Sequence, residues 1–527
     1  MFHRGKKCLG LLLSLVMLVS LFSVVVSAEE EADIKTVYIL HTNDTHARVI
    51  GDNTPGQDGK PVTSGIIGYA RYKAIITAMK EAHEDMVLVL DAGDTFHGTN
   101  FASLSKGQSV VRLLNDLGLD AMTPGNHDFN YGFDELEILM KEADFPILAS
   151  NVVKEGTDEK VFDGSKMLEV GGLKIGVLAV ATPETKVKSS PVNTEGLEFV
   201  EEAAAAQAEV TALQEEGAQA IVLLSHLGLD DESEITTKTV LDAVEGIDVA
   251  IDGHSHHTLE EGEVYNDTLI AMTGNHLENV GLITLTFTDG ELTETKAELI
   301  NFLEAAQYGQ DSELLESIAA IEEENKRFTD VEVAESATVL DGEREDVRTK
   351  ETNLGNLITD AMLWATNADA VITNGGGIRA SIDEGMITMG ELLDVLPFGN
   401  MITVIEVTGA DILAALEYGI DAYPAAAGKF PHVANITYTI YMKDDETAGI
   451  EEGVTIGGEP LDPEATYKLA TNDFMAIGGD GYTMFEGKTQ LLLEGLMVDV
   501  LRDYILHLTE DGTALNVETD GRIAVAE

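Results

Sequence analysis

Short apolar runs alternate with longer amphipathic stretches from Thr36 to about Phe287. The runs are Val37–Leu40, Met86–Leu90, Leu173–Ala181, Ala220–Leu224, Val249–Ile251 and Leu282–Phe287, with segments such as Glu201–Glu216 between them. This alternation predicts a layered α/β domain. Over residues 310–328 the pattern changes. Leu314, Leu315, Ile318 and Ile321 recur at helical spacing and a Glu322–Glu324 run follows, which predicts one exposed helix capped by Ser312. Its wide polar face suits a bridge between two domains. Beyond it, Leu354, Leu357, Ile358, Ala361 and Ala365 mark one face of a helix. Ala370–Thr373, Ile402–Val407, Ile436–Tyr441 and Tyr467–Thr471 read as strands. The expectation is an α/β unit at 33–308, a linker helix at 309–330 and a second, mixed-sheet α/β unit at 331–527.

The first 28 residues stand apart. Arg4, Lys6 and Lys7 precede an apolar run from Leu9 to Val26, and Val26-Ser27-Ala28 offers small residues before Glu29. This predicts a secretory signal peptide and a secreted or cell-surface protein. No membrane insertion is expected after its cleavage. The only cysteine, Cys8, lies inside it, so the exported chain would rest on its core and its ligands rather than on disulfides.

Charge narrows the choice of partners. The chain has 94 Asp and Glu against 32 Lys and Arg, a net charge of −62. Nucleic acid and anionic lipid are recognised through clustered Lys and Arg, so both are excluded as partners by this balance. Hydrophobic residues make up 44% of the chain, which places it among globular rather than disordered sequences.

The chemistry concentrates in polar clusters that follow predicted strands or short apolar runs: HTNDTH (41–46), DAGDTFHG (91–98), TPGNHDFNYG (123–132), SHLG (225–228) and DGHSHH (252–257). Ligands of open α/β sheets collect at the carboxyl ends of strands. Eight of the 13 histidines fall in these clusters, which makes a chance arrangement unconvincing. They supply Asp44, His46, Asp94, Asn126, His127, His226, His254 and His256, a mixture of imidazole and carboxylate that suits zinc, manganese, iron or cobalt. A second Gly-Asn-His, at 274–276, lacks a following acid and reads as structural.

This ordered set resembles the calcineurin-like metallophosphoesterase superfamily. The resemblance implies two divalent metal ions, one on Asp44, His46 and His256, the other on Asn126, His226 and His254, with Asp94 bridging. It implies that His127 neutralises the transition state or protonates the leaving oxygen.

The second half adds VRTKETNLGNLITDAM (347–362), TNGGGIRASI (373–382), LPFGN (396–400) and TNDFMAIGGDGY (471–482). Arg348 and Arg379 are scarce cations beside polar or Gly-rich turns, and Arg grips phosphate bidentately. Phe398 and Phe474 each precede a Gly-containing loop and could sandwich a flat base. These motifs resemble the C-terminal substrate domain of 5′-nucleotidases, including the UDP-sugar hydrolases. The resemblance covers about residues 35–520. It implies that Arg348, Asn374 and Arg379 hold phosphate, ribose or nearby groups. It further implies that Phe398 and Phe474 stack on the base, and that Asp480 binds the ribose hydroxyls. Two positions depart from the family pattern. Asn130 stands where an Asp commonly orients the catalytic His, and such an Asn also resembles the 2′,3′-cyclic nucleotide phosphodiesterase branch. Asn435 stands where Gly is usual. The expected activity is removal of the 5′-phosphate from nucleoside 5′-monophosphates. The alternatives are 2′,3′-cyclic phosphodiesterase with 3′-nucleotidase activity, UDP-sugar hydrolysis, and a surface nucleotide-binding protein with weak catalysis.

Overall fold

The structure, a computed structural model, describes residues 32–526 except 53–64, 85, 190, 230–232, 234 and 444–446. The expected signal peptide, residues 1–28, lies outside the described residues.

The first half builds two mixed sheets. One contains β1 (Ile34–Thr42), β2 (Val87–Asp91) and β3 (Ala121–Met122), which run parallel to one another. The other is built on β4 (Leu173–Ala181), β5 (Ala220–His226) and β6 (Val249–Ile251), again parallel. A long antiparallel hairpin, β7 (Asn279–Thr288) and β8 (Glu291–Asn301), extends the first sheet beside β1. The charged sequence of β8 hid it from the hydrophobic pattern, because an edge strand needs only one apolar face.

The two sheets face each other. Val37, Ile39, Leu88 and Leu90 pack against Ile175, Val177, Val222 and Leu224 in one buried layer. Helices cover the outsides. Tyr69–His83 (α1) and Gln108–Leu117 (α2) lie over the first sheet, and Glu202–Glu215 (α3) lies over the second. Each fully buried Leu, Ile or Val contributes about 1.5–3 kcal/mol relative to exposure, so this layered core carries the stability that disulfides do not supply. The layering also aims the carboxyl ends of the parallel strands at one rim of the domain.

The helix expected near 310–328 is Ser312–Thr329 (α4). Its cap is Asp311 rather than Ser312: the Asp311 carboxylate accepts the Leu314 amide at 2.8 Å. A carboxylate at the N-terminus also meets the positive end of the helix dipole. Leu314 and Ile318 are buried in the core of the first half.

The second half is built on a five-stranded mixed sheet, accompanied by a second, smaller five-stranded sheet around Ile436–Met442 and a two-stranded ribbon, with helices packed against them. In the main sheet β9 (Ala370–Asn374) runs parallel to the central strand β11 (Thr466–Asn472), which pairs antiparallel with β10 (Met401–Thr408) on its other side. Asn353–Thr366 (α5) packs Leu354, Leu357, Ile358 and Ala361 onto the sheet beside Met497–Leu508 (α6). The architecture is thus two α/β domains, as the alternation of elements predicts.

Candidate metal centre and substrate cavity

Every one of the seven expected ligands sits at a strand's carboxyl end. Asp44 and His46 follow β1, Asp94 follows β2, Asn126 follows β3, His226 ends β5, and His254 and His256 follow β6. Five of them, Asp44, His46, Asp94, His254 and His256, hold left-handed backbone with φ between 46° and 74°. Such conformations cost on the order of 1–3 kcal/mol each and persist only where the surroundings impose them. Here the loops pin one another: the Asp44 amide donates to the Gly93 carbonyl at 2.8 Å, and the His46 amide to the Asp94 carbonyl at 2.9 Å. Gly125 is required by close approach, since a Cβ there would lie 2.2 Å from Asp94 Oδ1.

The donor atoms of five expected ligands converge in two groups, Asp44 with His46 and His256, and Asp44 with Asp94 and His226, while Asn126 and His254 meet each other. His256 Nε2 lies 3.3 Å from Asp44 Oδ1 and 3.3 Å from His46 Nε2. His226 Nε2 lies 3.3 Å from Asp94 Oδ2, and Asn126 Oδ1 lies 2.8 Å from His254 Nδ1. Asp94 Oδ2 is also 4.0 Å from His46 Nε2, and Asp44 Oδ1 is 3.9 Å from His226 Nε2, so both carboxylates stand between the groups. The arrangement fits divalent cations. His226 Nδ1–H donates to the Ala92 carbonyl at 2.6 Å, so the neutral ring keeps its lone pair on Nε2, although against burial and without a cation Asp94 and Asp44 push the ring up to about 10. That Nε2 is buried and has no hydrogen-bond partner. An unpartnered buried imidazole nitrogen facing carboxylates is costly unless a cation takes it. Burial disfavours charge on Asp94, yet His226, His127 and His46 hold its carboxyl well below the usual range.

His127 stands beside this centre, its ring 5.3 Å from that of His46. Asn130 reaches its Nδ1 at 2.9 Å. Asp128 takes no part there, because both its oxygens are used on backbone. They accept the amides of Asp94, Thr95, Phe96 and Gly125 and so tie the second and third loops together.

Two supporting contacts were not legible as function. Glu184, three residues past β4, places Oε2 at 2.8 Å from His254 Nε2. A carboxylate behind a ligating His orients the ring and raises its basicity. The signal available was its strand-end position, since β4 is one more parallel strand. The second Gly-Asn-His is also closer to the chemistry than its sequence indicates. Asn275 lies 2.6 Å from His256 Nδ1, and the His276 ring lies 5.7 Å from that of His46. What reads as structural from sequence therefore supports a candidate ligand.

The second domain faces the centre across a cavity of about 760 Å³. Asp94, Asn126, His127, His254 and His256 line one side, and Arg348, Asn374, Arg379, Phe398, Phe474 and Asp480 also line it. Burial and the neighbouring Arg344 lower both Arg348 and Arg379, the latter to about 10, and Arg348 Nε is buried without a partner. Cations crowded together in this way await an anion. Asn374 donates through Nδ2 to Asp480 Oδ2 at 2.7 Å and accepts through Oδ1 from Asn472 Nδ2 at 3.0 Å. The Phe398 ring stacks on His97 at 5.0 Å, with Arg379 over it at 5.5 Å. Among the described residues no ring contact joins it to Phe474, so the expected pair of base-stacking rings is not closed on itself. Asn435 holds φ 58° and donates to the Asp369 carbonyl at 2.7 Å; it does not line the cavity.

Residues 37–258 match the calcineurin-like phosphoesterase family, and residues 330–487 match the C-terminal domain of 5′-nucleotidases. A 5′-nucleotidase of Diplobatis ommata is 31% identical over 495 residues, covering 85% of this chain and 83% of that protein. The chain belongs to the 5′-nucleotidase family. A 5′-nucleotidase precursor from Thermus thermophilus has the same fold, with a TM-score of 0.80, 32% identity, and coverage of 93% of this chain and 99% of that one. The trifunctional nucleotide phosphoesterase YfkN of Bacillus subtilis is 33% identical over 85% of this chain, but the chain spans only 32% of its length. As a member of this family the chain is a metal-dependent phosphoric monoester hydrolase, and the reading of it as a binding protein falls away.

Proposed function

We propose that the protein removes the 5′-phosphate from nucleoside 5′-monophosphates, using two divalent cations of the zinc, manganese, cobalt or iron type. The observation that carries this reading is the shared cavity: the convergent donors of the first domain and the buried cations of the second line the same space. Asp44, His46, Asp94, Asn126, His226, His254 and His256 would hold the cations, which would lower the pKa of water and offset phosphoryl charge. The chain's own residues do the rest. Arg348 and Arg379 grip the phosphate and Asn374 steadies Asp480. Asp480 takes the ribose hydroxyls, Phe474 and Phe398 flank the base, and His127 donates toward the phosphoryl group.

A second reading, 2′,3′-cyclic phosphodiesterase with 3′-nucleotidase activity, is favoured by Asn130 at the position that orients His127. We also propose export through residues 1–28. The deciding experiment is phosphate release from AMP, 3′-AMP, 2′,3′-cyclic AMP and UDP-glucose with each metal added in turn. Brisk release from AMP is expected. No release from AMP, with rapid turnover of the cyclic nucleotide, would overturn the first reading in favour of the second.

A further inference from the structure

Behind His127 lies a chain of polar side chains that belongs to no expected ligand set. Ser189 Oγ lies 2.9 Å from Asn130 Oδ1, and Asn193 Nδ2 lies 3.0 Å from Ser189 Oγ and 3.3 Å from the Asn130 carbonyl. Ser189 is buried, and all three residues line the cavity. The directions of these hydrogen bonds follow from one fact: a backbone carbonyl only accepts. The Asn193 atom facing the Asn130 carbonyl is therefore its nitrogen. That same nitrogen donates to Ser189 Oγ, so the serine accepts there and sends its single proton to Asn130 Oδ1. The Asn130 amide is thereby oriented, and its Nδ2 faces His127 Nδ1 at 2.9 Å. An N–H needs a lone pair opposite it, so Nδ1 is unprotonated.

We propose that Ser189, held by Asn193, locks the Asn130 amide so that it donates to His127 Nδ1 and leaves the ring proton on Nε2. His127 then acts as a neutral donor to a phosphoryl oxygen. A carboxylate at position 130 would do the reverse: it would accept Nδ1–H and support an imidazolium. Ser189 and Asn193 are positioning residues, since they act only through Asn130. The inference rests on the proposal that His127 works on the phosphoryl group.

The test is a pair of readouts on the full, metal-loaded chain. In the first, Ser189→Ala should lower kcat for AMP about tenfold, in line with the loss of other outer supporting contacts, and leave KM within about twofold. Ser189→Thr, which keeps the hydroxyl, should restore most of it. In an Asn130→Asp background the same Ser189→Ala change should cost less than about twofold more, because a carboxylate presents an oxygen to the ring either way. An unchanged kcat in Ser189→Ala, or the same loss in both backgrounds, would overturn the proposal. In the second, nitrogen-15 NMR of labelled histidine, with His127→Ala to assign the signal, should show the proton on Nε2 in the wild type and on Nδ1 in Asn130→Asp. A wild-type proton on Nδ1 would also overturn it. A wild type that releases no phosphate from AMP would sink the functional reading alone, because the NMR result stands without turnover.

Discussion

Arg348 is the residue whose surroundings make the least sense without a ligand. It is a buried cation with an unpartnered Nε beside two other arginines, in a chain with nearly three acids for every base. A charge-assisted hydrogen bond contributes about 1.5–3 kcal/mol, so Arg348→Ala should raise the KM for AMP roughly 10- to 100-fold, with a smaller change in kcat. Steady-state kinetics across that variant check the expectation. Glu184 carries a second one. With its carboxylate gone, His254 loses its rear partner, and Glu184→Gln should weaken the binding of one metal equivalent 10- to 100-fold by calorimetry. These two residues also show what was legible. Asp44, Asp94 and His254 were readable because metal chemistry restricts residue types and strand ends restrict position. Glu184, Ser189, Asn193 and Asn275 were not, because polar residues on loops are ordinary and their partners come from distant loops or backbone.

At the scale of elements, the segment before α5, which carries Arg348, and the end of β9, which carries Asn374, present the substrate side of the cavity, and buried His432 packs between α5 and β9. His432 Nε2 donates to the Val347 carbonyl at 2.8 Å, just before Arg348. Gly355 lets α5 approach this ring, since a Cβ there would meet His432 Nδ1 at 2.0 Å. Gly355→Ala should therefore destabilise the second domain by about 1–3 kcal/mol, as overpacking does, and show as a lower urea midpoint. Burial lowers His432 from 6.5 to about 4, against the pull of the Val347 carbonyl. The sign follows directly. The stability gained by keeping this ring neutral is present above pH 6.5 and is lost as pH falls toward 4. At about 1.4 kcal/mol per unit, the loss from this group at pH 5 should be about 2 kcal/mol, and His432→Gln should flatten that slope in urea melts at pH 7 and pH 5. The strands around this region were visible in the apolar runs. The Gly355–His432 contact was not, because nothing local marks which glycine meets a side chain from another strand.

For the whole molecule, the charge of −62 poses a problem, because the proposed substrate is itself an anion. Lys188, Arg344, Arg348, Arg379 and Lys429 line the cavity and so gather scarce cations where they are needed. At long range the acidic shell should still repel a nucleotide, and salt should screen it. The KM for AMP should accordingly fall as salt rises from low to moderate; a steep rise would mean that the pocket's own field dominates at a distance. The two-domain architecture was legible from the alternation of elements. The way the domains meet was not, because it depends on single contacts. The Asn100 amide and side chain donate to Asp394 at 3.0 and 3.2 Å, Lys188 stands 4.0 Å from Asp480, and His97 stacks on Phe398. The most direct test of the whole account is anomalous scattering from crystals grown with manganese and a non-hydrolysable AMP analogue. The expected result is two peaks about 3.5–4 Å apart among the seven ligands, with the phosphate between them and Arg348 and Arg379. A single peak, or a phosphate bound away from both arginines, would contradict it.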